Sequence, residues 1–194
     1  MIGFLRNLLL FNRPRNRGRA AVLAAMPDRA VCAELGVWKG EFSTEIAARN
    51  PVQLHLIDPW HFEPALPNRW YGGALAKSQA DMDTIMQDVA HRFRNRPNVT
   101  IHRGKSLDIA RQFPDRHFDW IYIDGDHSYQ AVLDDLETWQ KKMKRGGVIC
   151  LDDYPWRDES GRQSVKDAIE TFLQSYPAIA GEEIGGQFII RANA

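Results

Sequence analysis

The stretch FDWIYIDGDHSYQ, Phe118 to Gln130, decides how this chain is read. Its first six residues are mostly apolar and rich in aromatic and β-branched side chains, as in a strand buried on both faces. The run stops at Asp124. An acid and imidazole cluster, Asp124, Asp126 and His127, then precedes the start of a helix. A second apolar run, Val148 to Leu151, stops in the same way at Asp152-Asp153.

Outward from these two strands the pattern repeats. Ala30 to Leu35 reads as a first strand, and Gly36 to Gly40 as a glycine-punctuated turn opening a helix over Glu41 to Arg49. Ser43 and Thr44 lie where orphan N–H groups need partners. Leu54 to Ile57 is a second strand that stops at Asp58. Residues 60–76 show no period and hold two prolines, a Gly-Gly pair and several aromatics, as a functional loop does. Ser78 to Phe93 has helical spacing. Val99 to His102 is a third strand and Ser106 to Phe113 a short helix. Ser128 to Lys144 is read as a helix stopped by Gly146-Gly147, its Lys141, Lys142, Lys144 and Arg145 complementing the dipole. Gln163 to Tyr176 is a last helix, and Glu182 to Arg191 a hairpin around Gly185-Gly186. Alternation of this kind predicts an α/β fold: a Rossmann-like, doubly wound, mostly parallel sheet of about seven strands with a C-terminal antiparallel hairpin.

The chain has 194 residues, 44% apolar and 26% charged, enough for one self-sufficient core. Residues 30–194 are expected as the main domain. Residues 1–29 are expected as an amphipathic helix followed by a basic linker, with six arginines against one acid. Formal net charge is zero, so no nucleic-acid partner is expected. The apolar, arginine-flanked start leaves room for membrane-surface contact by residues 1–19. A second copy of the chain is a further partner left open. Cys32 and Cys150 sit inside apolar runs, as buried thiols in a reducing cytoplasm.

In a parallel sheet, ligands bind beyond the carboxyl ends of the strands. Glu34, Asp58, Asp124 and Asp152-Asp153 would share that rim. The turn Gly36 to Gly40 is G-x-x-x-G, which lacks the G-x-G-x-x-G of pyrophosphate sites. An acid just before its first glycine suits an ammonium or sulfonium group. Asp58, 22 residues after Gly36, suits a pair of ribose hydroxyls. Three carboxylates, Asp124, Asp152 and Asp153, would repel unless a hard divalent cation such as Mg²⁺ joined them. Asp126 and Ser128 are expected to cap the following helix.

These residues resemble the class I S-adenosylmethionine-dependent methyltransferases, over Ala30 to the C-terminus. The resemblance implies that Gly36 and Gly40 approach the methionine part of the cofactor, Glu34 its amino group and Asp58 its ribose. Ser43 and Asp124 join the expected cofactor set. Gly104-Lys105-Ser106 is similar to the family's adenine contact, although Lys105 departs from the usual acid. IDGDHSYQAVLDDLE followed by GGVICLDDY resembles the macrocin-type sugar O-methyltransferases of methyltransferase family 24. That resemblance implies Mg²⁺ on Asp124, Asp152 and Asp153, with His127 as base beside Asp124. The expected acceptor is a small hydroxylated molecule, a sugar or glycosylated metabolite, met by Trp60, His61, Trp70, Tyr71, Tyr154 and Trp156. Rival readings are a different nucleotide-using enzyme of the same fold, a non-catalytic binding protein, and a nucleic-acid methyltransferase.

Overall fold

The computed structural model describes residues 14–191. Seven strands are present: β1 Val31–Leu35, β2 Gln53–Asp58, β3 Val99–Arg103, β4 Phe118–Ile123, β5 Met143–Leu151, β6 Ala180–Ile184 and β7 Gln187–Arg191. The helices are α1 Pro14–Ala24, α2 Glu41–Ala48, α3 Gln79–Phe93, α4 Ser106–Ala110, α5 Tyr129–Trp139 and α6 Ser164–Ser175.

The strands form one sheet in the order β3-β2-β1-β4-β5-β7-β6. The first five run parallel, and β7 pairs antiparallel with both β5 and β6. Glycines Gly185 and Gly186, both at positive φ, close the two-residue β6–β7 turn. The direction of winding reverses between β1 and β4, which opens the rim there. Helices α4, α5 and α6 cover one face, burying Ile109, Leu136, Trp139, Ile169 and Phe172. The other face is covered by α1, α2 and α3 through Val22, Phe42, Ile46, Met82 and Val89. The doubly wound sheet expected from the alternation is the one observed.

Two stretches differ from the sequence reading. Part of the basic stretch expected as a linker is α1, which packs on β6 and β7. Val22 is fully buried, and its carbonyl accepts the Trp120 indole N–H at 3.3 Å. The amphipathic helix expected within residues 1–11 lies outside the described residues. The helix expected to run to Lys144 ends at Trp139, and Gln140–Lys142 makes one tight turn. Gly146-Gly147 therefore sits inside β5, where the register with β4 shifts, rather than ending a helix. The nearby lysines bind the β4 approach instead of the helix dipole: Lys142 reaches Asp115 at 2.7 Å and Lys144 reaches Asp119 at 2.9 Å. Among the described residues no helix is long and apolar enough to cross a membrane.

Candidate active site

At the exit of β1, Glu34 is almost completely buried, and the Ser43 hydroxyl of α2 donates to it. Burial pushes the Glu34 carboxyl up to about 8; Ser43 opposes this, while Asp124 and Asp58 add to it. Gly36 follows at φ 87, and a Cβ there would stand 2.0 Å from the Asp124 carbonyl oxygen. Only a glycine lets β1 leave the sheet so close to the exit of β4. Gly40, at φ 68, precedes α2, where a Cβ would press on Val89 at 3.3 Å. Ser43 and Thr44 do not cap α2: Thr44 donates to the Gly40 carbonyl at 3.0 Å.

Asp58, expected to face a ribose, is buried and holds the glycine turn. One carboxylate oxygen accepts the N–H groups of Val37 at 3.0 Å and Trp38 at 2.9 Å, and the other that of Trp60 at 2.7 Å. Burial raises its carboxyl, against the pull of those three donors. Gly104 donates its N–H to the Asp58 carbonyl at 3.0 Å, so β3 ends against the same corner. Ser106, expected at the adenine, gives its hydroxyl to buried Asp135 of α5. Burial lifts Asp135 to about 6, with Ser106 opposing.

At the exits of β4 and β5, Asp124, His127 and Asp153 each offer an atom within 4.8 Å of the others. The His127 Nε2 lies 3.4 Å from Asp124 Oδ1 and 3.8 Å from Asp153 Oδ2. Burial raises Asp124 to about 6; the His127 hydrogen bond opposes this, and the charges of Asp152 and Asp153 add to it. Burial pulls the His127 imidazole down, but the bond to Asp124 and the three neighbouring carboxylates outweigh it, so its pKa is raised. Asp153 stands at φ 55, a left-handed conformation that Asp tolerates better than most residues. Asp126 accepts the Ser128 N–H at 2.9 Å and closes the turn before α5, whereas the Ser128 side chain caps nothing.

Asp152 lies at the same corner, and its charge helps raise Asp124. Its carboxylate is buried under Gln187, whose amide donates to Oδ1, and Arg19 lies 3.7 Å from Oδ2. The compact trio is Asp124, His127 and Asp153, with Asp152 behind it. Sequence reasoning missed Gln187 and Arg19. A lone glutamine at a hairpin and one arginine among six carry no signal by themselves.

Beside the trio, the His127 ring packs on Trp156 with centroids 5.3 Å apart, and the Arg69 guanidinium lies 4.9 Å from the centroid of the same Trp156 ring. Trp38 and Trp70 meet at 6.0 Å. Residues 65–69 and 158–160 line a cleft of about 360 Å³. Of the residues expected there, Trp60 is fully buried and donates its indole N–H to the Trp38 carbonyl at 2.9 Å, so it belongs to the core. Tyr154 stacks on Phe188 at 4.8 Å. Trp70 is exposed, as a ligand-facing ring would be.

Residues 33–154, well over half of the chain, match the family model described as a methyltransferase domain, family 24. A stretch of 36 residues is 47% identical to the uncharacterized protein R132 of Acanthamoeba polyphaga mimivirus, covering 19% of this chain and 16% of that one. The O-methyltransferase NovP superposes with a TM-score of 0.65 at 19% identity, over 91% of this chain and 79% of its own. The O-methyltransferase TomG from Streptomyces achromogenes, solved with S-adenosylmethionine, gives 0.63 at 18% identity over the same shares. At such identities the two structures show a common fold, and the family model adds what the fold alone does not: this chain belongs to the family 24 methyltransferases.

Proposed function

We propose that the protein is a Mg²⁺-dependent O-methyltransferase that moves a methyl group from S-adenosylmethionine to a hydroxyl of a small acceptor, a sugar or glycosylated metabolite. The observation that carries this reading is the meeting of Asp124, His127 and Asp153 beside the Glu34–Gly36 turn. The residues fit both groups. Glu34, buried with Asp124 and Asp58 charges nearby, is stabilised in its charged form by a cationic ligand. The Asp124 and Asp153 carboxylate oxygens, with the Asp152 charge beside them, suit a hard divalent ion and leave His127 Nε2 free to act as base. A Cβ on Gly125 would meet nothing within 4 Å, so the rim is open there.

When bound, the two groups supply a methyl on a cationic sulfur and a Lewis acid that lowers the pKa of the acceptor hydroxyl. His127 Nε2 would take the hydroxyl proton as the acceptor oxygen replaced sulfur on the methyl carbon. Asp124, 3.4 Å away, favours the imidazolium that results. Trp156 fixes the ring plane against His127. Asp58 keeps the cofactor turn in place through its three backbone bonds, and its remaining lone pairs would take the ribose hydroxyls. Trp70 offers an exposed face for a sugar ring. The buried thiols, with Cys32 pushed up to about 12, suit a cytoplasmic protein.

The test pairs substitution with chelation. His127→Ala is expected to lower turnover by about 10²- to 10⁴-fold while S-adenosylhomocysteine still binds in calorimetry. Chelator abolishes turnover and added Mg²⁺ restores it. Full turnover in either experiment rejects the role concerned.

A further inference from the structure

The corner that ends β5 is held from two directions, both by groups outside the segment that matches the family. Gln187 opens β7 and is fully buried. Its side-chain oxygen accepts the Tyr122 hydroxyl of β4 at 3.0 Å, and its amide nitrogen donates to Asp152 Oδ1. A carboxylate only accepts, so it faces the NH₂; the phenol then donates to the amide oxygen, and the orientation of the amide is set by its neighbours. The same Oδ1 accepts the N–H of Asp153 at 2.7 Å. Asp153 sits in a left-handed conformation, which is strained for a residue other than glycine and persists where surrounding bonds hold it. From α1, Arg19 approaches Asp152 Oδ2 at 3.7 Å and lies 4.8 Å over the Phe42 ring, with its Nε buried and unpartnered.

We propose that Tyr122 and Gln187, backed by Arg19, are positioning residues: they fix the Asp152 carboxylate and, through it, the turn that aims Asp153 at Asp124 and His127. The inference rests on reading the Asp124–Asp153 corner as a cation site with His127 beside it as base. It makes the N-terminal helix and the C-terminal hairpin parts of the centre, although neither supplies a group to the trio. The chain of bonds runs from a phenol in the sheet, through one amide, to a backbone N–H. Groups that orient metal ligands in this way typically change metal affinity by about 10- to 100-fold when removed.

The full chain is compared with Gln187→Met and Tyr122→Phe, both close in volume to the residues they replace. Mn²⁺ affinity is read by electron paramagnetic resonance, S-adenosylhomocysteine affinity by calorimetry without cation, and folding by thermal melting. Gln187→Met is expected to weaken Mn²⁺ binding about 10- to 100-fold, and Tyr122→Phe by a smaller factor, about threefold or more. S-adenosylhomocysteine affinity stays within about twofold in both, because a loss confined to the corner leaves the Glu34 turn intact. Should Gln187→Met fail to fold, Tyr122→Phe, which keeps its ring against Phe42 and Trp120, carries the test. Unchanged Mn²⁺ affinity in the folded variants overturns the positioning role and leaves the proposed activity standing. Absence of Mn²⁺ binding in the unsubstituted protein overturns the cation reading and this inference together.

Discussion

At the exit of β2, Asp58 commits both carboxylate oxygens to three backbone N–H groups of its own chain. At the exits of β4 and β5, Asp124 and Asp153 instead turn toward an imidazole and toward each other. All of these acids end strands on one rim, and all sit where a ligand would be sought. The difference lies in donors. The turn after β1 brings Val37 and Trp38 N–H groups onto Asp58, and a carboxylate holding several such bonds is structural first. At the other corner, the carboxylates crowd together and Asp124 is raised to about 6, an arrangement that a cation relieves. Position at a strand end nominates an acid; the local supply of backbone donors decides what it does.

Gly36→Val breaks both corners together. Its side chain would enter the Asp124 carbonyl, at a φ that β-branched residues do not adopt, and a loss of about 4 kcal/mol or more is expected. Thermal melting then shows no cooperative transition near that of the parent. Asp124→Asn separates the corners. Turnover falls by about 10²-fold or more and Mn²⁺ binding is lost, while the melting temperature holds or rises because repulsion is relieved. Asp58→Asn gives the opposite signature, a stability loss of about 1–3 kcal/mol from weakened backbone bonds, seen in denaturant unfolding. If Asp124→Asn melts early and Asp58→Asn does not, the contrast between the corners fails.

A further effect, read against pH, concerns Glu34. Its folded pKa, about 8, lies above the ordinary value of 4.5. The unfolded chain therefore releases the proton first, and stability falls as pH rises from about 4.5 to about 8, then levels. Glu34→Gln keeps a partner for Ser43 and flattens that slope. Melting curves of the two proteins that run parallel across this window would show that Glu34 is not held protonated.

Much of the fold was legible because each parallel strand is an apolar run ending at a charged residue. The strand order, with its reversal between β1 and β4, is not written in that periodicity and emerges only from the pairing. Helix α1 was obscured by Pro14, Gly18 and the arginines, which read as linker, although Val22 with Ala21 and Leu23 anchors it to the core. The start of β5 was obscured because Lys144, Arg145 and two glycines have the composition of a helix end, and only the pairing of Met143 with Phe118 reveals a strand. In the site, residue types were legible and side-chain directions were not. Ser106 turned to Asp135 and Asp152 to Gln187, since those partners lie 29 and 35 residues away in the sequence. His127 was legible because three residues after Asp124, across one turn, already places it beside that acid.

The place of β7 also bears on how the molecule is made. It is the last described strand to be synthesised, yet it lies inside the sheet, between β5 and β6. Until Phe188 to Arg191 pair with Val148 to Leu151, β5 carries an open apolar edge of the kind that recruits other chains. Vectorial synthesis thus leaves the nascent protein with an adhesive seam until the β6–β7 hairpin emerges and seals it. A chain interrupted before the hairpin would be both inactive and prone to aggregate, so chaperone demand is greatest just before the hairpin emerges.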